Sequence, residues 1–505
     1  MTQKNHLFSQ ILSAVRDEAA PFLETPAGEV TTYGGLIGRS AAFANALVAL
    51  GVAPGDRVAV QVEKSPEALM LYLGTVRAGA IFLPLNTAYT PAEIDYFVGD
   101  AKPALLVCDP ARMGALKDVA DKVGARVETL DAEGRGSLRE RADAAATTFS
   151  DIARGPDDLA AILYTSGTTG RSKGAMLSHE NLASNARVLC DYWKFTDRDV
   201  LLHALPIFHT HGLFVATNVT LLAGGSMLFL PKFDLADVLR LMPRATTMMG
   251  VPTFYARLLG TDDFTRELAA HMRLFVSGSA PLSAEVHKAF SARTGHAILE
   301  RYGMTETNMN TSNPYEGDRR PGTVGYPLPG VELRIADPDS GKVLAQGEVG
   351  VIEVRGANVF KGYWQMPEKT ASEFRADGFF ITGDMGLVDE RGYVSIVGRS
   401  KDLIITGGFN VYPAEVEAVI DEIEGVAESA VIGVPHADFG EGVVAVVAPH
   451  KGVALDPEAV VAPLADKLAK FKQPKRVYVL PELPRNTMGK IQKNVLRDMY
   501  KDTFG

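Results

Sequence analysis

The chain has 505 residues, of which 46% are apolar and 22% charged, and its formal net charge is −10. That length predicts roughly two to four domains, the composition is that of a folded, soluble protein, and the acidic balance argues against a nucleic-acid partner, whose phosphates attract basic surfaces. The only two cysteines, Cys108 and Cys190, make no disulfide framework and lie in no metal-binding pattern, which predicts thiols in a reducing compartment.

The N-terminus, MTQKNHLFSQILSAVRDEAA, lacks the long apolar core of a signal peptide. Its spacing predicts an amphipathic helix with Leu7, Phe8, Ile11, Leu12 and Val15 on one face. No apolar run is long enough to span a bilayer, so a cytoplasmic protein without a membrane partner is expected. RVAVQV (57–62), IFLPLN (81–86) and ALLVCD (104–109) are strand-like, with a helical pattern over 65–80 between the first two. TPAEIDYFVGD places Thr90 and Glu93 at capping-box spacing, with Pro91 at the first helical position. This alternation predicts α/β layers.

A strand over Leu159–Tyr164 runs directly into YTSGTTGRSKG (164–174), and a helix is expected to start near Ser178. The loop buries little but offers backbone N–H groups, hydroxyls and cations, the inventory for holding a polyphosphate. It is not a Walker A loop, and alone it could equally be a flexible surface turn. FVSGSAPLS (275–283) is a second strand-to-loop junction. In ERYGMTET (300–307), Glu306 stands between two threonines, a reasonable Mg²⁺ site near phosphates or else a helix cap.

Beyond about residue 320 short strands with Gly and Pro turns predict a β-rich subdomain. There GFFITGDMG carries Asp384, a carboxylate that could receive ribose hydroxyls or simply form a turn, with Arg399 nearby in GRSKD. VYPAEVEAVIDEI reads as a helix, with Val416, Val419, Ile420 and Ile423 on one face. SAVIGVP, GVVAVVAP and RVYVLPELP read as strands, PEAVVAPLADKLAKF as a helix despite Pro463, and IQKNVLRDMY as a last helix. The domains are therefore expected at 1–400 and 401–505, the second a small α+β domain with Lys490 in the loop PRNTMGKIQK.

In this order YTSGTTGRSKG, SGSAP, ERYGMTE, ITGD, GRSKD, GGFNVYPAEVE and RNTMGK resemble the adenylate-forming superfamily of acyl-CoA synthetases, luciferases and peptide-synthetase adenylation domains. The motifs span residues 164 to 490, so the resemblance covers essentially the whole chain. It implies a large α/β N-terminal domain with a β-rich subdomain and a small mobile C-terminal domain. It implies ATP, Mg²⁺ and coenzyme A as co-substrates and AMP-forming acid–thiol ligation. By the resemblance Thr165, Ser166, Gly167, Thr168, Thr169, Gly170 and Lys173 cradle the β- and γ-phosphates. Gly278, Ser279 and Ala280, with Glu300, Arg301, Tyr302, Gly303 and Met304, form the walls around adenine and the acyl group. Thr305 contacts the α-phosphate, Glu306 holds Mg²⁺, Asp384 binds ribose with Arg399 nearby, and Lys490 bridges carboxylate and α-phosphate. Lys401 is the implied hinge, and Gly407, Gly408 and Phe409 line the thiol tunnel after rotation.

The acid is read from polar residues where an acyl pocket is expected: His209, Arg257, Ser279 and Arg301. Arginine is the usual bidentate receptor for a second carboxylate. PIFHTHG, VPTFYARLL and ERYGMTET together resemble the malonate-activating branch, with methylmalonate as a poorer substrate. Oxalate, acetate or an aryl acid such as 4-coumarate are the alternatives. By analogy with relatives, Lys490 is also a candidate target for a protein lysine acyltransferase.

Overall fold

The computed structural model describes residues 4–505 except 166–171, 280–281, 283, 339, 400–403, 412, 451 and 485–490, and gives the backbone alone for 284–285, 397–399, 410, 414–415 and 418. The chain divides into two compact units. The first comprises Met1–Thr87, Val98–Leu163 and Gly174–Gly398; the second comprises Ala88–Phe97, Tyr164–Lys173 and Arg399–Gly505.

In the first unit the short apolar runs become parallel strands buried on both faces, as continuous hydrophobic patterns require. Pro21–Glu24, Ser226–Phe229, Val200–His203, Thr247–Gly250, Leu274–Ser277 and Leu299–Met304 are successive parallel neighbours in a nine-stranded sheet. Asn308–Ser312 then returns antiparallel to Leu299–Met304, through a hairpin turn at residues 305–307. Because the strands are parallel, their C-terminal ends share one edge. The segments 204–211, 251–257, 278–279 and 305–307 all leave from that edge, the usual ligand side of an open α/β sheet.

A six-stranded sheet runs Arg126–Thr129, Leu105–Cys108, Arg57–Gln61, Ile81–Pro84, Leu159–Thr165, Lys173–Ser178. The helix Pro66–Arg77 starts as its sequence dictates: Pro66 occupies the first turn and Ser65 accepts from the Ala68 amide at 3.1 Å. Gly74 lets it close on the helix Tyr33–Ala49, since a Cβ there would stand 2.8 Å from the Phe43 Cβ and 2.9 Å from the Ser40 carbonyl. The β-rich subdomain expected after residue 320 is a four-stranded sheet of Val331–Ala336, Gly350–Gly356, Phe380–Val388 and Val394–Arg399.

The second unit carries a five-stranded sheet built on the long hairpin Val426–His436 and Gly440–Pro449, against which Val416 and Ile420 of the helix Pro413–Ile420 are buried.

Three local expectations are corrected. The N-terminal helix covers only His6–Ile11, leaving Leu12 and Val15 beyond its end, partly buried against the core. The helix over PEAVVAPLADKLAKF does not continue through Pro463: Pro457–Val461 is α-helical and Ala462–Asp466 tightens to a 3₁₀ turn, because proline has no N–H for the helical ladder. Lys173, at the end of the supposedly unburied glycine loop, opens the strand Lys173–Ser178 and is itself buried. Among the described residues no helix is long and apolar enough to cross a membrane.

Candidate active site

Arg301 lies on Leu299–Met304 and is 4% exposed. Its guanidinium occupies the open face of Gly278, where any Cβ would collide with it. Its Nε and Nη2 have no hydrogen-bond partner among the described residues. Burial pushes the guanidinium down to about 9, against a weaker pull upward from Tyr255. Tyr255 itself donates to the Val276 carbonyl at 2.6 Å, and burial raises its phenol.

The segment after Val200–His203 brings two imidazoles to the same neighbourhood. Burial first and the Arg301 charge second push His209 down to about 4, and the same two causes hold His211 well below the ordinary histidine range. Both rings are thus neutral near pH 7. His211 Nδ1 lies 3.2 Å from the Ser279 hydroxyl, and Ser279 holds a left-handed φ of +69°. Ser279 sits in the conformation that glycine usually takes, so the turn after Gly278 is held by its surroundings. His211 opens a π-helical stretch, His211–Thr217, which no local pattern announced.

Glu300 points away from Arg301, as neighbours on a strand must. It is buried, its Oε1 has no partner among the described residues, and burial pushes its carboxyl up to about 8 despite a hydrogen bond from the Gly322 amide.

The turn after Met304 presents Thr305 and Glu306. Gly303 permits it, since a Cβ there would strike the Asn308 carbonyl, and Asn308 has φ +50°. Glu306 is buried and accepts from the Tyr363 hydroxyl at 3.0 Å; the same hydroxyl lies 3.2 Å from Glu373, which pairs with Lys369 at 2.6 Å. Burial, then the two carboxylates, keep the Tyr363 phenol protonated as a donor. Asp384, 2% exposed on Phe380–Val388, accepts from the Tyr302 hydroxyl at 2.5 Å and donates its own amide to Thr382 Oγ1.

Arg257 is placed apart from this buried group. It is exposed on the helix Pro252–Leu259, with its guanidinium 5.9 Å from the ring centre of Phe233, which stacks on Phe254. In the second unit Thr165 Oγ1 is 3.5 Å from the Lys173 carbonyl. There Gly407 and Gly408 turn with φ of +57° and +80°, and Phe409 stacks on Phe471 at 4.5 Å. Ser166, Gly167, Thr168, Thr169, Gly170, Ala280, Lys401 and Lys490 lie outside the described residues, as does the side chain of Arg399.

Among the described residues no three His, Cys, Asp or Glu side chains gather around a metal. One buried carboxylate, Glu306, fits Mg²⁺, which enters such sites mostly on substrate phosphates and takes one or two carboxylates from the protein. Sequence reading missed Tyr363, whose partner Glu306 is 57 residues away, and Lys64, described below.

The family pattern described as AMP-binding enzyme matches residues 13–364, and that described as AMP-binding enzyme C-terminal domain matches residues 415–490. The crystal structure of ATP-bound MatB from Rhodopseudomonas palustris is 63% identical, with 99% of this chain and 100% of that one covered and a TM-score of 0.79. A malonyl-CoA ligase in ternary product complex with methylmalonyl-CoA and AMP is 35% identical, covering 94% and 99%, with a TM-score of 0.81. The malonate–CoA ligase of Arabidopsis thaliana is 36% identical over 480 residues, 88% of this chain and 78% of its own.

Proposed function

The chain belongs to the AMP-binding enzymes, and from that membership we propose that it joins malonate to coenzyme A, consuming ATP and releasing AMP and pyrophosphate. It is an AMP-forming acid–thiol ligase. The observation that carries the choice of acid is Arg301: a buried guanidinium with two unpartnered nitrogens next to two neutral imidazoles. A buried cation without a counter-ion is strongly unfavourable. The second carboxylate of a short diacid supplies that counter-ion, and a monocarboxylate does not. Methylmalonate keeps both carboxylates and is the expected second substrate.

In the first step a carboxylate oxygen of malonate attacks the α-phosphorus of ATP, and the bond to the β-phosphate oxygen breaks as pyrophosphate leaves. Two anions must meet, so catalysis is chiefly charge stabilisation and positioning. Bound Mg²⁺ supplies Lewis-acid neutralisation of the phosphates. Glu306, oriented by Tyr363, would hold it, with Thr305 at the α-phosphate. Asp384, oriented by Tyr302, receives the ribose hydroxyls. Thr165–Gly170 and Lys173 cradle the outer phosphates, Arg399 lies near the ribose, and Lys490 bridges the attacking oxygen and the α-phosphate. In the second step the thiolate sulfur of coenzyme A attacks the acyl carbon, and AMP leaves with its oxygen.

We assign the two steps to two placements of residues 401–505, turning about Lys401, with Gly407, Gly408 and Phe409 lining the thiol path in the second. Arg257, exposed on Pro252–Leu259 and outside the buried cluster, is the second candidate receptor for the acid. Acylation of Lys490 by a protein lysine acyltransferase would remove its charge and stop the first step. The proposed compartment is the cytoplasm, where Cys108 and Cys190, both free thiols, stay reduced.

The test is an end-point assay with ATP, Mg²⁺ and coenzyme A against malonate, methylmalonate, succinate, oxalate, acetate and 4-coumarate, following AMP and thioester together. Equal amounts of AMP and malonyl-CoA, with little acetyl-CoA, are expected. Preferential turnover of a monocarboxylate would overturn the diacid reading.

A further inference from the structure

Lys64 is a lysine in the core with no carboxylate partner among the described residues. It is 7% exposed, and its Nζ donates to the His203 carbonyl at 2.8 Å, to the Leu205 carbonyl at 2.9 Å and to His203 Nδ1 at 2.9 Å. The Phe229 ring centre lies 4.2 Å from the same nitrogen. Three acceptors match the three N–H groups of an ammonium, and the ring face adds a cation–π contact.

His203 passes the constraint on. Its Nε2 is 2.9 Å from the Gly212 carbonyl, an acceptor only, so Nε2 must carry a proton. The Thr217 hydroxyl also donates to that carbonyl, at 3.0 Å. Lys64 therefore grips the start of segment 204–212 directly and its end through His203. That segment carries His209 and His211. It is folded tightly on itself, since a Cβ on Gly212 would collide with the Pro206 carbonyl.

Proton counting limits the charge of the network. With the Nε2 proton fixed, the two carbonyls and the contact with Nδ1 need three protons around Nζ, so the pair holds one positive charge in total. The ring of Phe229 and the higher intrinsic basicity of lysine put that charge on Nζ. Burial and then the Lys64 charge hold His203 well below the ordinary histidine range, which excludes a second charge on it.

We propose that Lys64 is a positioning residue for the acid pocket: acting through His203 and the carbonyls of His203 and Leu205, it fixes the segment that sets His209 and His211 beside Arg301. The inference rests on the reading of that cluster as the acid pocket. Lys64 acts on the acid only through these groups.

The test pairs kinetics with nitrogen NMR of the full chain labelled at histidine. In the wild type, His203 should show the neutral Nε2–H tautomer, unchanged between about pH 6 and 8. Lys64→Met should leave Nε2–H on the Gly212 carbonyl but remove the charge that keeps Nδ1 unprotonated, so that His203 takes up a second proton at a higher pH than in the wild type, and should raise the malonate KM about tenfold while the ATP KM stays within about twofold. His203→Gln, which keeps the Lys64 charge, should give the same split and serves if Lys64→Met does not fold. An Nδ1–H tautomer or a freely titrating His203 in the wild type overturns the network. Arg301→Ala run in parallel separates the two readings. If Arg301→Ala raises the malonate KM and neither Lys64→Met nor His203→Gln does, the positioning inference fails alone. If none of the three changes it, the pocket reading fails and takes the inference with it.

Discussion

Arg301 and Gly278 share one space: the guanidinium of the first lies where the second would carry a side chain. The proposed receptor for the acid is thus seated by an absence on the neighbouring strand end. Gly278→Ala should displace the guanidinium and raise the malonate KM about tenfold or more, with no charge removed. Arg301→Ala should cost about 100-fold in kcat/KM for malonate, in the range for losing a buried charged partner, and should narrow the preference over acetate. Arg257→Ala, at an exposed position, should raise KM less. Steady-state kinetics with both acids decide, and unchanged malonate kinetics in all three variants would sink the diacid pocket.

Tyr363 is the hydroxyl donor to Glu306. Tyr363→Phe removes one hydrogen bond without opening a cavity, so the fold should hold. The Mg²⁺ concentration for half-maximal rate should rise about tenfold or more, the value of one hydrogen bond to a charged group, with the malonate KM unchanged. A Mg²⁺ titration that superimposes on the wild type would remove Tyr363 from this role.

Glu300 sets a pH dependence of stability. Its folded value, about 8, lies above the ordinary 4.5, so the folded state binds the proton more tightly than the unfolded one. The contribution is fully present below about pH 4.5 and is lost as pH rises through about 8. Glu300→Gln, neutral at every pH, should therefore be more stable than the wild type at pH 9 by at least roughly 1 kcal/mol and should show little gain at pH 5. His209 acts in the opposite sense, its folded value of about 4 removing stability as pH falls below about 6.5. Denaturant melts at both pH values give the comparison, and a gain that is equal at pH 5 and pH 9 would contradict it.

Lys490→Ala should abolish formation of the acyl-adenylate from malonate and ATP by at least about a hundredfold, while malonyl-AMP supplied from outside is still converted to malonyl-CoA. Pyrophosphate release and thioester formation are followed separately. Equal loss in both half-reactions would refute the assignment of Lys490 to the first step alone.

The strands of the α/β layers and the glycine junctions were legible because each rests on a few adjacent residues: LFV is apolar, and SGSAP follows it at once. So were the carboxylates Glu306 and Asp384, which stand alone among hydroxyls and glycines. What orients them was not legible. Tyr302 meets Asp384 across 82 residues, Tyr363 meets Glu306 across 57, and Lys64 meets His203 across 139. No local pattern encodes such pairs, because sheet topology alone brings them together. Pro463 failed as a helix reading for a different reason: the apolar spacing is helical, but one missing N–H outweighs it.

Arg301 and the turn holding Glu306 belong to one strand and its hairpin, so the strand is a ruler between the two ends of the reacting assembly. The ruler has coarse divisions. Moving the proposed receptor one residue along the strand turns it to the opposite face, and moving it two residues shifts it by about 6.6 Å. One added methylene lengthens a diacid by at most about 1.5 Å, the length of a carbon–carbon bond. No relocation along this strand matches that increment. On this reading, a variant selected for a diacid one carbon longer would have to keep Arg301 and make room around His209 and Ser279.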